Sequence, residues 1–164
     1  MEGMSVRRAF WIFALVIMFM SIADRLLFII LPLYLIDLEF SATEIGLTFA
    51  AGGAVLAVFR FLAGKLSDIK GRKRMMSAGL LVDSVATAFY PAASGIAQFS
   101  LIKGIKDVAH NVTSTMEDAL IGDSFPRDIR PRMLARLGTL FPLGRALAAI
   151  TGFVTVTYLS LVHG

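Results

Sequence analysis

The segment from Gly64 to Arg74 reads Gly-Lys-Leu-Ser-Asp-Ile-Lys-Gly-Arg-Lys-Arg, a basic, glycine-punctuated turn set between two long apolar stretches. Apolar residues make up 57% of the chain, and in that setting such a link marks the reversal of two membrane helices, its cations held on the cytoplasmic side. Charged residues are 17% of the sequence, below the roughly 25% of soluble domains, so a soluble fold of this size would lack polar surface.

Lys and Arg number 16 against 12 Asp and Glu. The cations form no stripe interleaved with aromatics. They sit in the gaps between apolar runs, which assigns the surplus to membrane sidedness and gives no footing to a nucleic-acid partner. Cysteine is absent, so disulfides and thiolate metal sites are excluded, and His110 and His163 are too far apart to form a sequence-local ligand pair. No metal and no cofactor is expected. The N-terminus, with Arg7 and Arg8 ahead of an apolar run from Phe10 to Ala23, resembles a signal peptide, and Ser21-Ile22-Ala23 has the small residues of a cleavage site. Apolar character resumes after Asp24 and Arg25, from Leu26 to Leu35, so the segment is long enough to cross about 30 Å of hydrocarbon and reads as a retained helix.

The pattern predicts helices over about 9–36, 43–63, 75–93, 97–122 and 133–161, an all-α, multi-pass transmembrane domain over residues 1–164. Ser41-Ala42-Thr43-Glu44 marks the second start as a capping box, in which Ser41 accepts from an orphan amide and Glu44 reaches back. Arg7 and Arg8 precede the first helix; Lys65, Lys70, Arg72, Lys73 and Arg74 lie between the second and third; Arg127, Arg130, Arg132 and Arg136 lie between the fourth and fifth. The opposite links hold Asp37, Glu39 and Glu44, or no charge at all. The bias places the N-terminus in the cytoplasm of a cell and the chain in its membrane, and five crossings then leave Gly164 outside. The fourth segment is interrupted by Lys103, Lys106, Asp107, His110, Glu117 and Asp118. Near the bilayer centre each Lys or Asp costs about 2.5 to 3.5 kcal/mol, while each Leu, Ile, Phe or Val returns about 0.3 to 0.6, so this helix is not expected to insert alone. Its crossing is required to return the Arg-rich link to the side of the earlier basic one.

Gly64, Leu66, Asp68, Gly71, Arg72 and Lys73 match, in type and spacing, the signature linking helices two and three in the major facilitator superfamily of secondary transporters. The chain resembles that family from its first helix through its fifth. Ile69 departs from the pattern, standing where a cation is common. The glycines allow a tight turn, Asp68 supplies a carboxylate for nearby amides and Arg72 a forked donor; an ordinary basic hairpin is the plainer alternative. Asp123, Pro126 and Arg130 follow helix four as the family's Asp-x-x-Pro-x-x-x-Arg pattern does. The resemblance implies that Asp68, Arg72, Asp123 and Arg130 form a cytoplasmic charge network that helps hold the outward-facing state closed. Arg127 and Arg132 read equally as interfacial charges.

Asp24 precedes Pro32 by eight residues, a spacing similar to the first-helix pattern of drug/proton antiporters in that superfamily, although Arg25 beside it is foreign to the pattern. Desolvation favours a proton on a buried carboxyl and a neighbouring cation opposes it, so proton carrier and ion-pair member both stand for Asp24, and likewise for Asp83 in the third helix. Lys103, Asp107, His110, Ser114 and Glu117 recur at three- and four-residue steps on one face of the fourth helix, with Lys106 and Thr113 alongside. Such a face lines a water-filled path or meets polar groups of other helices. A self-neutralised Lys103/Asp107 pair that supports structure alone is the alternative. The family has an Arg near the start of this helix with a Gly four residues later; here Lys103 stands for the Arg and Asp107 replaces the Gly. Gly144, Ala148 and Gly152 form a four-residue small ladder on the fifth helix that permits close helix approach, loosely similar to the antiporters' glycine-rich fifth helix, apart from Arg145. The sequon Asn111-Val112-Thr113 lies within a helix and is set aside.

The resemblance implies secondary active transport of a small solute by alternating access, with proton-coupled efflux as one mode. Such transporters rock two six-helix halves about a midplane site. The chain reads as five helices, one short of a half, and is therefore expected to derive from a longer transporter and not to transport alone. Its expected partners are the lipid bilayer, a small-molecule substrate, protons, and the remaining transporter helices or a complementary chain. An enzyme is not expected, because no nucleophile elbow, metal motif or phosphate-cradling loop accompanies the Lys103, Asp107, His110 and Glu117 face. A non-transporting membrane scaffold is the alternative function.

Overall fold

The structure is a computed structural model that describes the backbone of residues 6–163, and their side chains except those of 60–70 and 159–163. Among the described residues the elements are α1 (Val6–Asp37), α2 (Ala42–Lys70), α3 (Arg72–Ala88), α4 (Ile96–Ser124), α5 (Arg130–Gly138) and α6 (Leu140–His163), with a single 3-10 turn at Tyr90–Ala92. No strand occurs among them. The α2 start carries the reciprocal cap. The Ser41 amide and hydroxyl both donate to Glu44 Oε2, at 2.8 and 2.7 Å, and the Glu44 amide donates to Ser41 Oγ at 3.3 Å.

Three boundaries differ from the sequence reading. The second helix continues past Ala63 to Lys70 and the third begins at Arg72, so the reversal contracts to Gly71 alone. Its φ of +83° lies in the left-handed region that glycine enters without a Cβ penalty. Cations consequently occupy the first turn of α3, where the helix dipole disfavours them. At its far end α3 stops at Ala88, because Pro91 has no amide to donate back to Thr87 and disfavours α geometry before it. The helix expected over 133–161 begins earlier and is divided at Thr139. Pro142 cannot donate to the Gly138 carbonyl, which removes the hydrogen bond that would have joined α5 to α6.

Two units are described separately. One comprises Glu39–Leu120 and the other Met1–Leu38 with Ile121–Gly164. In the first, α3 meets α4 antiparallel: Arg72 reaches Ala119, Gly79 lies against Thr113 and Ala109, and Asp83 meets Lys106, so contacts descend α4 as they climb α3. Met75 of α3 packs with Val112 and Met116 of α4, joined by Met76. The α2 and α4 contacts advance in the same sense, from Phe40 against Phe99 to Gly52 against Asp107. In the second unit α1 and α6 run in parallel. Gly144 lies on Ser21 and Met18, and Gly152 on Leu26 and Ile29, both steps being eight residues. Ala148, between them, is fully buried. This is the small-residue ladder, and its partner is α1.

By length and composition, three described helical stretches can cross a membrane: Val6–Asp37, Ala42–Phe59 and Arg130–Tyr158. The sequence reading has five. At 17 residues α3 is short and begins with three cations, and α4 carries its six acidic and basic side chains, so neither meets that criterion unaided.

Candidate functional site

Two ion pairs neutralise four of the charged side chains of α3 and α4. On α4, Lys103 Nζ donates to Asp107 Oδ2 at 2.5 Å, one turn along the same face. The Lys103 ammonium also stands over the Phe49 ring at 5.0 Å. Room for the pair comes from Gly52: a Cβ there would lie 2.8 Å from both Asp107 Oδ2 and Lys103 Cγ. One residue before Asp107, Lys106 is buried and its Nζ lies 3.2 Å from Asp83 Oδ1 of α3. Asp83 has no local partner in sequence; the antiparallel packing supplies one from another helix. An ammonium this buried would be costly without its carboxylate.

Sequence reasoning missed two members of this region. Gly52 carries no chemistry and is legible only through what packs on it. Tyr90, in the 3-10 turn, is buried and stacked on Phe99 with ring centroids 6.2 Å apart, and its hydroxyl has no hydrogen-bond partner among the described residues. Asp107 and Asp83 act on it electrostatically. An aromatic beside the proline that ends α3 is the signal that was available.

The polar face continues along α4 towards its C-terminus. Thr113 is fully buried and its hydroxyl donates to the Ala109 carbonyl at 2.9 Å, at the level where Gly79 admits close approach of α3. Glu117, one turn further, is 2% exposed, and its Oε1 has no hydrogen-bond partner among the described residues. His110 is half-buried and engaged, and Ser114 donates to the Asn111 carbonyl at 3.1 Å. Asp24 lies in the α1–α6 unit, half-buried and engaged, while Arg25 stacks over Phe28 at 5.0 Å. A cavity of about 330 Å³ lies in the α2–α3–α4 unit, lined by Val55, Phe59, Met75, Val82, Ile105 and Val112 among others, and none of the charged side chains among the described residues lines it.

At the basic turn, Arg72 Nη1 donates to the Ala119 carbonyl of α4 at 3.4 Å, which ties the start of α3 to the end of α4; Lys73 is exposed. Gly64, Leu66, Asp68 and Ile69 lie outside the described side chains. In the other unit, Arg130 Nη2 donates to the Phe125 carbonyl at 3.3 Å, while its Nε is buried without a hydrogen bond among the described residues; Asp123 is exposed and engaged. Among the described residues no group of three or more His, Cys, Asp or Glu side chains could hold a metal ion.

Comparison with known proteins gives a match to the family model described as Major Facilitator Superfamily over residues 13–161. The chain is similar to the hexuronate transporter of Bacillus subtilis (strain 168), with 28% identity over 123 residues, which is 74% of this chain and 29% of that protein. It is also similar to multidrug resistance protein 3 of the same organism, 28% identical over 97 residues, 59% of this chain and 19% of that protein. Against the multidrug transporter protein MdtP, again of B. subtilis, identity is 25% over 91 residues, 56% of this chain and 17% of that protein. The chain thus spans less than a third of the length of each of these relatives.

Proposed function

This chain belongs to the Major Facilitator Superfamily, and on that premise we propose that it supplies part of a secondary transporter that moves a small solute across the cell membrane by alternating access. The family is one of multi-pass membrane transporters rather than enzymes. The observation that carries the proposal is the set of charges between helices of an otherwise apolar chain, with Lys106 buried against Asp83 and Lys103 against Asp107. Charges kept at that depth face the protein interior or a water-filled path. In this reading Asp24, Asp83, Lys103, Asp107, His110 and Glu117 line the substrate and proton path. Gly64, Asp68, Gly71, Arg72, Lys73, Asp123 and Arg130 form the gating turn and its charge network on the cytoplasmic side, where the N-terminus also lies.

The relatives are named for hexuronate and for multidrug transport, which makes sugar acids and drug-like solutes the two substrate classes to try, the second by proton-coupled efflux. Because transporters of this kind close a path between two halves, function requires helices beyond those of this chain. The second reading is a half-transporter subunit or a non-transporting scaffold. It is favoured by the Lys103–Asp107 and Lys106–Asp83 pairs, which suit a static structural role as well as a path.

Purified chain in proteoliposomes is expected to show no uptake of glucuronate and no export of a drug-like dye. In a full-length transporter containing this chain, Asp107→Asn is expected to abolish transport at unchanged protein level. Robust uptake by the lone chain would overturn the need for further helices, and an Asp107→Asn transporter of full activity would favour the structural reading.

A further inference from the structure

Arg132 and Arg136 stand one turn apart on α5, both exposed, with neither guanidinium held in a hydrogen bond or ion pair among the described residues. Like charges four residues apart on a helix repel, so the pair lacks the anion that would relieve it. The other side of α5 is committed to the fold: Leu137 is 1% exposed and Met133 is half-buried. Arg130, on the same helix, is a different case, because its guanidinium already donates to the Phe125 carbonyl. Arg127, just ahead of α5, is exposed and adds to the charge. Beyond Thr139 the helix continues as the apolar α6; with α6 read as a membrane-crossing helix, the two guanidiniums fall where the chain passes from water into hydrocarbon, at the level of headgroup phosphates.

We propose that Arg132 and Arg136 form a binding site for the phosphate of an anionic phospholipid at the point where α6 enters the bilayer. The guanidinium forks suit phosphate oxygens, and spacing of one turn lets both reach a single headgroup. The inference rests on the reading of α6 as a membrane-crossing helix and adds a partner to it.

The test uses the full 164-residue chain in nanodiscs of phosphatidylcholine with phosphatidylglycerol, with retained lipids counted by native mass spectrometry. The preference for phosphatidylglycerol is expected to fall roughly fivefold for each arginine removed in the Arg132→Gln, Arg136→Gln double variant. The Arg132→Lys, Arg136→Lys variant should retain most of it, and Arg145→Gln, an exposed cation on α6, all of it. Circular dichroism confirms that each variant remains helical. An unchanged preference in the double glutamine variant overturns the proposal, as does displacement of the lipid by inorganic phosphate, which would make this a site for a soluble anion. Extraction of the wild-type chain from membranes by alkaline carbonate would instead overturn the membrane reading beneath it.

Discussion

Gly71 makes the whole α2–α3 reversal at a φ of +83°, with nothing within 4 Å of the position a Cβ would take. Gly71→Ala should therefore cost about 1 to 2 kcal/mol, all of it conformational. Gly46, in equally open space on α2 but without positive φ, serves as the control: Gly46→Ala should be neutral or stabilising by up to about 1 kcal/mol. Thermal unfolding of both variants in one detergent compares them. Asp83 tests the buried pair. Asp83→Ala leaves the Lys106 ammonium buried without its carboxylate and should destabilise the chain by about 2 to 3 kcal/mol, less than a fully buried pair because Asp83 keeps some exposure. Adding Lys106→Met should recover most of that loss. If the two losses simply add, the ion pair is not the interaction that matters there. The pair also marks where sequence reading stopped. The charges of α4 and their shared face follow from spacing alone, but the partner of Asp83 lies 23 residues away on an antiparallel helix, and no local pattern encodes that register.

At the scale of elements, the long helices were legible because apolar runs and the Ser41–Glu44 cap mark them, whereas the ends were not. Gly71 and Pro142 act through a single backbone angle or a single missing amide, and a hydropathy pattern does not register either. The small ladder on α6 was legible as a packing face; its partner was not. In the structure Gly144 meets Ser21 and Gly152 meets Leu26 and Ile29, so α1 and α6 pack closely at two levels. Gly144→Leu should break this contact, since even a Cβ there has no room beside Ser21 and the Met18 carbonyl. A loss of about 1 to 3 kcal/mol is expected, as for overpacking of a tight contact. Gly152→Ala should be tolerated, because the nearest atoms to its Cβ are side-chain methyls at 3.5 Å or more. Crosslinking between cysteines introduced on α1 and α6, compared in the two backgrounds, reads the separation directly.

For the whole molecule, the five-crossing reading requires α4 to lie in a bilayer, which its composition opposes. Its charges oppose insertion at about 2.5 to 3.5 kcal/mol each when unpaired, more than its apolar residues return. The structure supplies part of the compensation: Lys103 and Asp107 neutralise each other within α4, and Asp83 of α3 neutralises Lys106, while Glu117 stands outside these pairs. On this argument α3 and α4 enter as a hairpin whose charges pair during insertion, and α4 crosses only in the company of α3. The helix senses agree with that, since α3 runs against α4 while α2 runs with it. The absence of cysteine gives a background-free test, because every thiol is one introduced by design. Ser41→Cys and Ser94→Cys, at exposed positions in alternate links, should react with a membrane-impermeant maleimide applied to intact cells. Lys73→Cys and Arg127→Cys, exposed in the basic links, should react only after the membrane is opened. Introducing Asp83→Lys into the Arg127→Cys chain places two unpaired cations in the hairpin; if the Asp83–Lys106 pair is what admits α4, the thiol of that chain should then appear on the outer side, beside that of Ser94→Cys. A thiol that stays on the inner side despite Asp83→Lys would show that α4 crosses by other means.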